Sequence, residues 1–128
     1  MKAIVLKAFG GPEQLQVQDV PTPTAGPGEV LVRVHAAGVC HHDLLHRAGH
    51  LPGEHTGAVL GHEVAGEAAR EGAGVAQLKV GAREAVYQRR VCVQRRHSTL
   101  VAHALMRAQA PPAAHPHGAY AAYLRVHG

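Results

Sequence analysis

Two short stretches of this chain place metal-binding atoms at usable spacings. Cys40 is followed by His41, His42 and Asp43, and His62 is followed by Glu63. A catalytic zinc takes three protein ligands, drawn from thiolate, imidazole and carboxylate, and keeps one position open. Cys40 offers a thiolate, and a nearby cation lowers the pKa of such a group. His62 offers an imidazole just after Gly61, where the small residue lets the backbone approach closely, and Glu63 adds a carboxylate. Asp43, three residues past Cys40, can orient a ligating imidazole through its second nitrogen. Taken singly, each has an inert reading. A lone cysteine at a strand end is a small core residue, and a lone His-Glu pair is a surface pair. His46, His50 and His55 fit no role in this pattern and read as surface residues.

The elements that must hold these residues are short. Residues 2–8 (KAIVLKA) read as a strand, and Gly10, Gly11 and Pro12 turn the chain. Residues 15–20 alternate apolar and polar like a half-buried strand. Residues 21–28 are an extended loop. Residues 29–40 (EVLVRVHAAGVC) form the clearest strand, with Val30, Val32 and Val34 on one face and Leu31 and Arg33 on the other. A short helix is expected over 43–48. Further strands are expected at 64–71, 83–88 and 120–126, with a tight turn at Gly72-Ala73-Gly74. Short strands between turn signals imply a mainly β fold, a barrel or sandwich, with at most one or two short helices. Residues 93–117 carry no strand pattern and are rich in Ala, Arg, His and Pro. They read as a long irregular loop.

Bulk properties narrow the function. At 128 residues the chain makes one domain with a real core. Four Phe and Tyr residues and no Trp leave that core mostly aliphatic. The net charge of +4 owes much to Arg89, Arg90, Arg95, Arg96 and Arg107, but no aromatic residues interleave them as nucleic-acid stacking requires. No nucleic-acid partner is expected. Cys40 and Cys92 make no disulfide framework and suit a reducing compartment or a metal site. The start MKAIVLKAFGGPE has no cleavage-site pattern, and no run approaches transmembrane length. The expected location is the cytoplasm, with no membrane partner.

Gly61-His62-Glu63-Val64-Ala65-Gly66, continuing through Gly72 to Val75, fits the zinc alcohol dehydrogenase signature G-H-E-x2-G-x5-[GA]-x2-[IVSAC] position by position. Gly38-Val39-Cys40-His41-His42-Asp43, the MKAIVL start, the run at 21–34 and the L-K-V-G near residue 80 agree with it. The chain therefore resembles the amino-terminal, zinc-binding half of a medium-chain zinc-dependent alcohol dehydrogenase. The resemblance covers residues 1–92, lapses at 93–117 and returns at 118–126. It implies a GroES-like β-barrel over 1–128, with Cys40, His62 and Glu63 as metal ligands and Asp43 orienting. His41 lies where the family carries a basic residue near the cofactor phosphates. His42 replaces the family's Ser or Thr proton relay, and histidine can take that role.

The resemblance also marks what is missing. The family's third zinc ligand and its dinucleotide-binding domain lie beyond residue 128, so NAD(P) belongs to the full-length enzyme only. That enzyme would act on a small-molecule alcohol or aldehyde and could be a homo-oligomer. The family's four-cysteine structural zinc pattern, C-x2-C-x2-C-x7-C, starts at Cys92 but then meets Arg95, Ser98 and Met106. The composition of 93–117 is that of a GC-rich gene read out of frame, as compensating frameshifts would produce. No phosphate-cradling glycine loop is present in 1–128. The leading expectation is thus the zinc domain of an alcohol dehydrogenase-like oxidoreductase, inactive alone. Two alternatives are a catalytically dead binding module with a partial zinc site, and a zinc-free quinone reductase relative. Cys40 and Gly61-His62-Glu63 argue against the last.

Overall fold

A computed structural model describes residues 1–76, 78–86 and 118–127. Its elements are strand β1 (Lys2–Leu6), a 3-10 turn (Pro12–Gln14), β2 (Leu15–Asp19), β3 (Glu29–Gly38), helix α1 (His41–Ala48), β4 (Glu63–Glu71), β5 (Arg83–Val86) and β6 (Tyr123–His127). The mainly β expectation holds, with one short α-helix. The expected irregular loop at 93–117 and the Cys92 position lie outside the described residues.

Hydrogen bonding divides the strands into a hairpin, β1-β2, and a four-stranded antiparallel sheet in the order β5-β4-β3-β6. Isolated bridges Ala3↔Ala121 and Val5↔Val59 join the hairpin to the rest. Strand β3 is central because it pairs on both sides, and its valines are buried accordingly. Leu31 is buried like Val30 and Val32 but lies outside the cluster those two share, so β3 is covered on both faces at this point. Register shifts against β4 fall at Leu31/Val32, where Ala69 of β4 is the extra residue, and at Val34/Ala36, where His35 of β3 is.

The core is aliphatic, as the composition requires. One cluster is Val30, Val32 and Ala68, a second is Val64, Ala119 and Leu124, and a third is Ala3, Val5 and Val59 with Tyr120 packed against it. Two boundaries differ from expectation in ways that matter for the site. Strand β3 stops at Gly38 and α1 begins at His41, two residues before the expected start, because the Asp43 carboxylate accepts the Cys40 N–H (3.0 Å) and turns the chain into the helix. The last strand begins at Tyr123 rather than Tyr120. Tyr120 is thereby left in the connection before β6, where its side chain is free of the strand's alternation.

Candidate functional site

Three backbone segments converge at the ends of β3 and β4. Segment 38–43 brings Cys40, which stands in extended conformation just before α1. Segment 59–63 brings His62 and Glu63. Segment 118–120 is laced to 59–61 by hydrogen bonds from the N–H groups of Gly118, Ala119 and Tyr120 to the carbonyls of Val59 (2.8 Å), Gly61 (2.9 Å) and Leu60 (3.0 Å).

Ligand atoms of Cys40, His62 and Glu63 lie within 4.8 Å of one another. Cys40 and His62 are half-buried and Glu63 is exposed. Glu63 opens β4 opposite Gly38. A side chain at Gly38 would run into the Glu63 carboxylate, with Glu63 Cβ at 3.1 Å and Cδ at 3.3 Å from the added carbon, so glycine there leaves Glu63 its place beside Cys40. Gly61 has φ +93° and a Cβ on it would fall 2.7 Å from the Tyr120 ring. The turn that aims His62 therefore depends on glycine.

Asp43 sits at the centre, only 5 % exposed. Its Oδ2 accepts the Cys40 N–H at 3.0 Å and the Tyr120 hydroxyl at 2.9 Å, and its Oδ1 accepts the Gly61 N–H at 3.2 Å. Oδ1 also lies 3.4 Å from Nδ1 of His62. Asp43 thus stands beside Nδ1 of the imidazole, and Nε2 is the ring nitrogen further from it. The pairing of a ligating imidazole with a carboxylate recurs in metal sites, where it fixes tautomer and ring orientation. Burial, and then the hydrogen bond to Asp43 and its charge, push the Tyr120 phenol above its ordinary range. The hydroxyl stays protonated and remains a donor.

His42 stands edge-on to His62, with ring centroids 5.2 Å apart and planes at 89°. His42, Asp43 and His62 form a second group whose ligand atoms lie within 4.8 Å. Because the Asp43 oxygens already accept three hydrogen bonds, this group works as internal support rather than as a second ion site. His41 is exposed on the first turn of α1. His50 and His55 are exposed. His46 departs from the expected surface location. It is 8 % exposed, and its Nε2 lies 3.1 Å from Glu54 Oε2 and 3.3 Å from the His55 carbonyl oxygen. Both partners are acceptors, so Nε2 carries a hydrogen. The reason is helical geometry: Asp43 and His46 are one turn apart and share the inward face of α1.

A thiol, an imidazole and a carboxylate in reach of one another match the ligand chemistry of zinc. The residue that sequence reasoning missed is Tyr120. It read as one more alternating strand position, and no spacing links it to Asp43 across 77 residues. Its only signal was rarity, since the chain has three tyrosines.

The profile of the alcohol dehydrogenase GroES-like domain matches residues 26–128. The chain belongs to that family. An alcohol dehydrogenase of Rhizobium meliloti is 42 % identical over 87 residues, which is 67 % of this chain and 25 % of the relative. The chain therefore spans about a quarter of the length of the curated relatives it matches. Among solved structures, AibC superposes with a TM-score of 0.89 at 38 % identity, covering 98 % of this chain and 36 % of the other. A cobalt- and zinc-bound thermostable alcohol dehydrogenase from Pyrobaculum aerophilum superposes with a TM-score of 0.83 at 30 % identity, covering 99 % and 39 %. The domain is alcohol dehydrogenase-like in sequence and in fold. No helix among the described residues is long and apolar enough to cross a membrane.

Proposed function

We propose that this chain is the zinc-binding domain of an oxidoreductase that transfers a hydride between a small alcohol and NAD(P), and that it is inactive without the rest of such an enzyme. The observation that carries the reading is the meeting of Cys40, His62 and Glu63 within 4.8 Å, with Asp43 Oδ1 3.4 Å from Nδ1 of His62. Cys40, His62 and Glu63 would hold the ion, which as a Lewis acid lowers the pKa of an alcohol bound to it. The chain's own residues do the rest. Asp43 holds the imidazole of His62 in one orientation. His42, beside His62, replaces a hydroxyl-bearing relay and can take up the alcohol proton. His41, exposed on the first turn of α1, faces the solvent side where cofactor phosphates would be met. A bound nicotinamide would supply the hydride acceptor.

Inactivity alone follows from positioning. Holding two reactants in register is worth roughly 7–11 kcal/mol of barrier. The described residues contain only antiparallel strand pairs, and none of the parallel βαβ units that bind dinucleotides. Glu63 also makes a harder ligand than a second thiolate and sits exposed, so zinc binding by 1–128 is weak. The test is a zinc titration of the 128-residue chain against a chromophoric chelator. One weakly held zinc per chain is expected. Cys40→Ala should abolish it and His50→Ala should leave it unchanged. Equal affinity in Cys40→Ala would remove the site assignment, and robust NAD-dependent alcohol oxidation by the chain would refute the inactivity.

A further inference from the structure

The side chain that ties the three segments of the site together is neither a ligand nor part of the signature. Tyr120 comes from the connection before β6, and its hydroxyl lies 2.9 Å from Asp43 Oδ2 and 3.2 Å from the Gly38 carbonyl oxygen. Gly38 and Asp43 bracket Cys40. Asp43 in turn faces His62 at 3.4 Å. The ring of Tyr120 covers Gly61, whose missing side chain makes the room. Its backbone N–H is fixed to Leu60. One residue therefore contacts the approach to both strong ligands.

A carboxylate with several donors has a choice of orientations. The Cys40 N–H and the Tyr120 hydroxyl bind Oδ2, and together they leave Oδ1 turned toward Gly61 and His62. A hydroxyl has one proton, and the shorter, charge-assisted contact to Asp43 is the stronger of its two. Loss of that proton would free one side of the carboxylate. The orientation of the His62 ring would then loosen without any change in the ligands themselves.

We propose that Tyr120 is a positioning residue of the metal site, acting through Asp43 to orient His62. This rests on the reading of Cys40, His62 and Glu63 as a zinc site. Removing a partner behind a ligand costs about 10–100-fold in metal affinity. Tyr120 stands one bond further out than Asp43, so Tyr120→Phe should weaken zinc or cobalt binding by about tenfold, at the lower end of that range.

The experiment compares the 128-residue chain, Tyr120→Phe, Asp43→Asn and the double variant, reading metal affinity by chelator competition and the visible spectrum of the cobalt-loaded protein. Phenylalanine keeps the ring against Ala3, Val5 and Val59. The expected result is weaker binding and a changed cobalt spectrum in Tyr120→Phe, with no further loss when it is added to Asp43→Asn. A core control, Val32→Ala, should lower stability but keep the spectrum. Equal affinity and an unchanged spectrum in folded Tyr120→Phe, beside a wild-type chain that binds, would overturn the positioning role alone. A wild-type chain that binds no metal would overturn both readings. If Tyr120→Phe does not fold, the Tyr120 hydroxyl proton is followed by NMR in the unsubstituted chain. Bonded to Asp43, it should exchange slowly and shift on metal loading, and an unshifted signal would refute the inference.

Discussion

Gly61→Ala is the sharpest perturbation of the link between fold and site. The substitution has two costs that the geometry separates. Gly61 has φ +93°, where an L side chain is strained by roughly 1–3 kcal/mol. The added carbon would also sit 2.7 Å and 2.9 Å from two Tyr120 ring carbons and 3.0 Å from the Tyr120 backbone nitrogen. Overpacking of that kind costs about 1–3 kcal/mol. Tyr120 cannot simply swing away, because its N–H is bonded to Leu60 and its hydroxyl to Asp43. The sum, about 2–6 kcal/mol, is a large part of the roughly 5–15 kcal/mol that holds a domain. At about 4 °C per kcal/mol for a chain of this size, Tm should fall by about 8–24 °C. Thermal unfolding followed by far-ultraviolet circular dichroism reads it. Gly53→Ala is the internal reference, since Gly53 has φ +81° with nothing within 4 Å of its added carbon. It carries the backbone strain alone. A Tm loss in Gly53→Ala equal to or larger than that in Gly61→Ala would refute the packing argument.

Two further substitutions probe the neighbourhood. His46→Ala should destabilise the domain by about 1–3 kcal/mol in urea unfolding, because it strips the partner from the half-buried Glu54 carboxylate; a change below about 0.5 kcal/mol would show that Glu54 finds water instead. Gly38→Ala should push the Glu63 carboxylate aside and lower zinc affinity severalfold, and an unchanged affinity by chelator competition would remove Glu63 from the ligand set.

What the sequence made legible was the part written in local spacing. The Gly61-His62-Glu63 signature, Cys40 before a helix, and Asp43 three residues on are short-range patterns, and the structure assembles all of them in one place. The mainly β class followed from turn residues and valine runs. The burial of Leu31 was not legible because it depends on what packs over the face of β3 opposite Val30 and Val32, which no local spacing records. His46 escaped because eight residues of helix bury a histidine only if the loop carrying Glu54 folds back over it. Tyr120 escaped for the same reason at larger scale. Its partners, Gly38 and Asp43, are 82 and 77 residues away, and only the backbone pairing of 118–120 with 59–61 makes them neighbours.

That pairing sets the order of dependence between metal and fold. The three core clusters are aliphatic and include none of Cys40, His62 or Glu63. The strands that position these three residues are therefore held by burial and backbone hydrogen bonds without any ion. A zinc finger is the opposite case, where metal binding is the folding energy. A ligand that binds only the folded state adds about 2.7 kcal/mol even at a hundredfold excess over its Kd, so a weak site contributes less still. On the zinc reading proposed above, the direction of control runs from the fold to the metal. Gly61, Tyr120 and Asp43 are where it passes, because each touches both the strand framework and the approach to a ligand.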